Sequence, residues 1–277
     1  MKLVDLFDCF LIDLDGVVYI GDSAVPGSAE TIQYLLNNDK FVIFLTNNPR
    51  HDISQYSQKL NEIGIEETSL NIITSATALA SHIKSTFSGL KDKTAYVIGS
   101  TALKKEIELT GLNLISGDEA KKADFVIFGG HPEFHYEEIK IATLAIANGA
   151  HFFATNRDMV YPTAEGHIPA TGAMLASIEV ASGKKAISAG KPENLMFEIS
   201  HTYHDHEKDR IAIIGDHLDT DILGGQNAGI STILIISDPN IEDELKSSDI
   251  KPDYIIYNLR DLLKDVSDIE KLQIPST

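Results

Sequence analysis

Apolar residues in this chain gather in short unbroken runs rather than alternating singly with polar ones. The runs are Cys9–Ile12, Phe41–Leu45, Tyr96–Ile98, Phe125–Phe128, Phe152–Ala154, Ile211–Ile214, Thr232–Ile236 and Tyr254–Ile256, and Gly, Asp or Asn residues bound them. A continuous apolar run predicts a strand covered on both faces, as in a parallel sheet. Between the runs the spacing becomes helical: Ile32, Leu35 and Leu36 mark one helix, and Ile53, Tyr56, Leu60 and Ile63 another. Ile139, Leu144 and Ile146 mark a third, and Ile222 with Leu223 a fourth. Strands alternating with helices predict an α/β fold. No short repeat, low-complexity segment or Pro/Gly/Ser-rich linker marks a domain boundary, so a second domain has to be inserted between strands.

In open α/β sheets ligands sit beyond the carboxyl ends of the strands, so the residues that follow each run carry the candidate chemistry. After Cys9–Ile12 comes Asp13-Leu14-Asp15-Gly16. On an extended chain residues two apart face one side, which puts both carboxylates in one site. At ~4 Å separation they repel by about 4 kcal/mol at an effective dielectric of ~20, unless one is protonated or a cation sits between them. Either state is useful: an ionised Asp is a nucleophile and a protonated one an acid. A solvated Asp-rich loop is the plainer reading of the same residues. After Phe41–Leu45 comes Thr46-Asn47-Asn48-Pro49, whose hydroxyl and amides suit phosphate oxygens and equally suit a turn or helix cap. Ala186–Ala189 reads as another strand, followed by Gly190-Lys191-Pro192; Pro192 rules out a nucleotide-binding P-loop, while Lys191 offers a point charge. After Ile211–Ile214 come Asp216 and Asp221, hard ligands suited to Mg²⁺, although Asp219 and Asp221 equally suit ordinary first-turn helix charge. Together they are acidic residues, a Thr, a Lys and more acidic residues, each group at the end of a different buried strand. That is the inventory of phosphoryl transfer.

The chain has 277 residues, about two domains by length, and 23 basic against 41 acidic side chains give a net charge of −18. Such a surface argues against nucleic acid or an anionic membrane as partner. It also repels a phosphorylated metabolite, so a phosphate site here needs its own cation. One cysteine, Cys9, excludes an intrachain disulfide, and acidic residues interrupt the N-terminal apolar stretch. The expectation is a cytoplasmic enzyme.

In order, the motifs DLDGV, LTNN, GKP and GDHLDTD resemble those of the haloacid dehalogenase-like (HAD) phosphatases, and the chain is similar to their NagD-like, p-nitrophenyl phosphatase branch from about Phe10 to Ile256. The likeness includes the segments AYVIGSTALKKEI and FATNRDMVYPTAEGHIPATGA. The resemblance implies a Rossmann-like parallel-sheet core with an inserted α/β cap domain, placed at 81–185, the core being 1–80 plus 186–277. It implies Mg²⁺-dependent hydrolysis of a small-molecule phosphate monoester through an aspartyl-phosphate. Asp13 is then the nucleophile and Asp15 the acid and base. Thr46, Asn47 and Lys191 hold the phosphoryl group. Asp13, the Asp15 carbonyl and Asp216 bind Mg²⁺, with Asp221 supporting. The cap carries specificity, with Asn156, Arg157 and Asp158 as candidates or else an ordinary polar turn, and a homodimer through the cap is compatible with this branch. Two departures fall in the cap: His131 stands in Gly130-His131 where relatives usually have Asp, and Ala170 where they have Gly.

The cluster His201, His204 and His206 reads as a solvated helix end in preference to a zinc site, and Cys9 as a buried thiol. The alternatives to a hydrolase are a phosphotransferase or phosphomutase of the same superfamily, and a non-catalytic phosphoacceptor or binding protein.

Overall fold

The structure, a computed structural model, describes residues 1–66, 71–163 and 166–269. Ala164 and Glu165, inside one matched cap segment, lie outside them. The chain forms two compact units. The first comprises Met1–Thr46, Ile53–Ile73 and the chain from Lys191 onward; the second comprises Asn47–Asp52 and Thr74–Gly190.

With elements numbered in chain order, the first unit holds β1 (Cys9–Asp13), the short pair β2 (Tyr19–Ile20) and β3 (Ser23–Ala24), β4 (Phe41–Thr46) and β5 (Asn71–Thr74). Later in the chain come β13 (Ile211–Gly215), β14 (Ser231–Ile235) and β15 (Tyr254–Ile256). Its helices are α1 (Ser28–Asn37), α2 (Ile53–Glu62), α7 (Leu195–Ser200), α8 (Leu223–Ala228) and α9 (Pro239–Ser247). Among the described residues the main sheet runs β15-β14-β13-β1-β4-β5. β1 pairs in parallel with both β13 and β4, as β14 does with β13 and β15. Unbroken apolar runs are required because both faces are covered. Phe10, Ile12, Ala212, Ile214, Ile233 and Ile235 face the larger cluster with Ile32, Leu35, Tyr56 and Leu60. Leu234 and Ile255 point the other way, into a cluster with Leu218, Ile222 and Leu245. Each such buried aliphatic side chain contributes about 1.5–3 kcal/mol. The order of the chain reverses at β1, which has β13 on one side and β4 on the other, and a crevice outside the strand ends is expected there.

The second unit holds β6 (Thr94–Ile98), β7 (Asn113–Leu114), β8 (Phe125–Phe128), β9 (His151–Ala154) and β12 (Ile187–Ser188), all parallel, in the order β12-β9-β8-β6-β7. A hairpin, β10 (Val160–Thr163) with β11 (Gly166–Pro169), stands apart from that sheet. Its helices are α3 (Ser75–Thr86), α4 (Thr101–Glu108), α5 (Tyr136–Ala147) and α6 (Thr171–Ser182). Val126, Phe128, Phe152 and Leu175 build one side of the core. On the other, Phe125 and Phe153 stack at 6.3 Å, and Phe87 meets Phe125 edge-on at 5.0 Å.

The observed partition differs from the boundaries read off the sequence. Residues 74–80 and 186–190, and the separate piece 47–52, all go with the second unit. The cause is local. Thr74 caps α3, accepting from the Thr77 N–H at 3.1 Å, and α3 packs against α4. Ser188 pairs with Ala154, so β12 completes the second sheet. Three further readings are corrected. β12 is a two-residue edge strand of the second sheet with Ile187 55% exposed, so Lys191 does not follow a buried strand. The segment Asn71–Thr74, which is not among the apolar runs, is β5 of the main sheet. On α5, Leu144 is exposed, and the buried face is Ile141, Ala142, Ala145 and Ile146.

Candidate active site

Strand register brings three chain segments level in the first unit. Ile12 pairs with Ile214 and Asp13 with Leu45, so Asp13, Thr46 and Asp216 lie level at the carboxyl ends of three neighbouring central strands. All three are nearly inaccessible, as are Lys191 and Asp221. The Lys191 ammonium donates to Asp13 Oδ1, to Asp221 Oδ1 at 2.6 Å and to the Leu45 carbonyl at 3.4 Å. Burial alone would depress that ammonium, but Asp13 and Asp221 more than offset this and hold it protonated. Burial likewise lifts the Asp13 carboxyl well above the usual carboxylate range. Lys191 opposes the rise, while Asp221 and Asp216 add to it.

The strand ends at Asp13, so alternation along β1 is not what aims Asp15. The chain turns instead, with Val18 N–H donating to Leu14 O at 2.9 Å and Gly16 N–H to Tyr19 O at 2.9 Å. Gly16 is required twice. Its φ is +84°, and a Cβ there would lie 2.1 Å from Asp216 Oδ2. Gly215 makes similar room, since its Cβ would meet the Asp221 carboxyl carbon at 2.1 Å.

Asp216, His217 and Asp221 offer ligand atoms that all lie within 4.8 Å of one another. His217 Nδ1 lies 2.6 Å from Asp216 Oδ1, a hydrogen bond that pushes the imidazole up to about 10. The His217 N–H donates to Asp221 Oδ2 at 3.2 Å. The donor set fits a divalent cation. Asp216 and Asp221 supply hard oxygen ligands there, and the Asp13 carboxyl is near enough to both for their charges to raise it. His217 lay unused inside GDHLDTD; its place directly after Asp216 was the available signal.

The second unit carries the other residues singled out in the sequence. Asn47 Nδ2 donates to Asp158 Oδ1 at 2.9 Å, and the Asn47 carbonyl accepts from Asn156 Nδ2 at 2.8 Å and Ser75 Oγ at 2.6 Å. Ser75 directly follows β5, a strand too short to stand among the apolar runs. Arg157 Nη2 donates to Glu179 Oε1 at 2.8 Å and to the Ala186 carbonyl at 2.7 Å, tying α6 to the strand before Gly190. Asn156, Arg157 and Asp158 thus each make a side-chain hydrogen bond within the second unit. His131 is clasped by Glu138 at 2.8 Å and Glu133 at 3.3 Å. Ala170 is buried at the start of α6, its N–H donating to Met159 O at 3.1 Å.

The histidine cluster is less solvated than expected. His204 packs edge-on to Phe41 at 5.9 Å and beside His206 at 5.4 Å, with its Nε2 buried and unpaired. Cys9 is wholly buried, and burial pushes its thiol up to about 12. No helix among the described residues is long and apolar enough to cross a membrane.

A family model described as haloacid dehalogenase-like hydrolase matches residues 10–113, and a HAD-hydrolase-like model matches 188–262. The chain is 34% identical over 262 residues to an acid sugar phosphatase of Staphylococcus haemolyticus, covering 95% of this chain and 96% of that relative. The chain belongs to the haloacid dehalogenase-like hydrolases. It is a phosphatase of that family. A solved 4-nitrophenylphosphatase from Thermotoga maritima superposes with a TM-score of 0.86 at 32% identity, covering 96% of this chain and all (100%) of that one. A glycerol phosphate phosphatase of Mycobacterium tuberculosis, solved in complex with magnesium, gives 0.85 at 28% identity over 96% of this chain and 79% of that one. A divalent metal site accords with both the carboxylate cluster and that neighbour.

Proposed function

We propose that this phosphatase hydrolyses monoesters of small phosphorylated metabolites, sugar phosphates foremost, using Mg²⁺ and a phosphorylated Asp13. The observation that carries the reading is the buried group Asp13, Lys191 and Asp221 beside Asp216, at the strand ends where the sheet order reverses. The sugar phosphates come from the acid sugar phosphatase relative.

In this reading an Asp13 carboxylate oxygen attacks phosphorus and the ester P–O bond breaks. Asp15 gives its proton to the departing oxygen. Asp15 then takes a proton from the water that attacks the aspartyl-phosphate, freeing inorganic phosphate and restoring Asp13. Thr46, Asn47 and Lys191 hold the phosphoryl oxygens, and Lys191 neutralises charge that Asp13 and Asp221 alone would repel. Asp13, the Asp15 carbonyl and Asp216 would hold Mg²⁺, with Asp221 supporting. When bound, the cation supplies charge to the phosphoryl oxygens and draws the Asp13 carboxyl back toward ionisation. The second unit, in the role of a cap, selects the substrate.

The test is phosphate release from p-nitrophenyl phosphate and a panel of metabolite phosphates, with Mg²⁺ and with EDTA. The expectation is EDTA-sensitive release that Asp13→Asn abolishes while the fold survives. Turnover by Asp13→Asn would overturn the nucleophile, and a preference for non-sugar phosphates would overturn the substrate class.

A further inference from the structure

The segment Asn47–Asp52 follows β4 in the chain yet belongs to the second unit. Ser100 Oγ donates to the Pro49 carbonyl at 2.8 Å, Lys105 pairs with Asp52 at 3.2 Å, and the Arg50 guanidinium lies 5.5 Å from the Tyr161 ring centre. The tightest ties are at its first residue. Its carbonyl takes two hydrogen bonds, from Ser75 and Asn156, and its side-chain nitrogen donates to Asp158. Asp158 is itself fixed: its N–H donates to Asn156 Oδ1 at 3.1 Å, and its carbonyl accepts from the Gly172 N–H at 2.8 Å at the start of α6.

We propose that Asp158 is a positioning residue for the phosphate site, acting by locking the carboxamide of Asn47 in one orientation. The inference rests on the assignment of Asn47 to the phosphoryl group. An ionised carboxylate only accepts hydrogen bonds, so it takes the –NH₂ end of Asn47 and rejects the oxygen end. The other end is blocked as well. Gly190 comes so close that a Cβ there would lie 2.7 Å from Asn47 Oδ1 and 2.8 Å from Asn156 Cβ. The carboxamide is therefore held between a carboxylate and a glycine backbone, with its donor end defined. A phosphate oxygen accepts only from that end. A flipped amide would present an oxygen and repel it. Asp158 in this account touches neither phosphate nor metal; its effect passes through Asn47.

The test is a double-mutant cycle with inorganic phosphate as the probe, read as its inhibition constant against the intact enzyme, beside KM and kcat for p-nitrophenyl phosphate. Asp158→Ala is expected to raise the phosphate inhibition constant and KM about tenfold, equivalent to about 1.4 kcal/mol. Asn47→Ala should do the same, and the double variant should be no worse than Asn47→Ala alone, because the two act as one unit. Asp158→Asn keeps an acceptor oxygen and should recover most of the loss, while Asp158→Val, which also lacks the acceptor, stands in if the alanine variant fails to fold. Additive losses, or an unchanged inhibition constant in folded Asp158→Ala or Asp158→Val beside a weakened Asn47→Ala, would overturn the inference. An unchanged Asn47→Ala beside an inactive Asp13→Asn would remove Asn47 from the phosphate site and this inference with it, leaving the phosphatase chemistry standing. No release by the wild-type enzyme would instead mark failure of the reaction itself.

Discussion

Glu179 on α6 is the clearest place to measure what a buried charge does for this fold. Its side chain is 3% exposed and bonds the Arg157 guanidinium, the Lys185 ammonium at 2.5 Å and the Ala186 N–H at 2.9 Å. Burial alone would raise its carboxyl; these three donors outweigh that and pull it from 4.5 to about 2. A depressed folded value means the stabilisation is complete above pH 4.5 and disappears as pH falls through 2. Two and a half decades at 1.36 kcal/mol each give about 3 kcal/mol. Lys185 is 79% exposed and contributes little of it, so about 2–3 kcal/mol is the working figure. The perturbation is Glu179→Gln, which keeps the shape and loses the charge. Urea unfolding at pH 7, followed by a probe of the second unit, should show that loss, and the gap between variant and wild type should close as pH drops from 4.5 toward 2. A loss under about 1 kcal/mol at pH 7, or a gap independent of pH, would refute the charge-based account.

Two further outcomes follow from close packing. Gly16→Ala forces a Cβ to within 2.1 Å of Asp216 Oδ2 at a φ of +84°, so the carboxylate must move by about 1 Å. A displacement of that size is expected to cost about 10²-fold in kcat/KM and about 1–2 kcal/mol of stability, checked by steady-state kinetics beside thermal melting; kinetics close to wild type would show that Asp216 has room to yield. Cys9 should ignore Ellman's reagent in the native protein at pH 8 and react stoichiometrically in denaturant, because its thiol is buried and pushed up to about 12; rapid native labelling would contradict that burial.

Much of the architecture was written in apolar runs because burial on both faces leaves no room for polar alternation. Phe125–Phe128 and Ile211–Ile214 are strands for that reason. Shorter elements escaped because their ordering comes from partners distant in sequence. Asn71–Thr74 becomes a strand by joining the edge of the main sheet, and Thr94 owes its place to Asp124, which accepts from its N–H at 2.8 Å. Asp13, Lys191, Asp216 and Asp221 were legible as residue types at segment ends. Their convergence was not, since Lys191 reaches Asp13 across 178 residues of sequence. The engagement of Arg157 by Glu179 could not be read either: its partner sits 22 residues away with no motif linking them. Local pattern records what a segment must bury, whereas the pairing of polar tips depends on how segments are brought together.

The interleaving of the chain has a consequence for recombination. One compact unit breaks off at Thr46, returns for Ile53–Ile73 and resumes again at Lys191; the other claims Asn47–Asp52 and Thr74–Gly190. Of the four crossings, the first and the last fall inside the short motifs LTNN and GKP rather than in the spacers around them. A chimera that imported residues 81–185 from a relative would keep Asn47, Ser75 and Gly190 from the host while replacing Asn156 and Asp158 with strangers. Only donors that preserve both of those residues are interchangeable at such seams. A transplant with matched partners has to carry the pieces 47–52 and 74–190 together, so the parts of LTNN and GKP that belong to the second unit are inherited jointly with it.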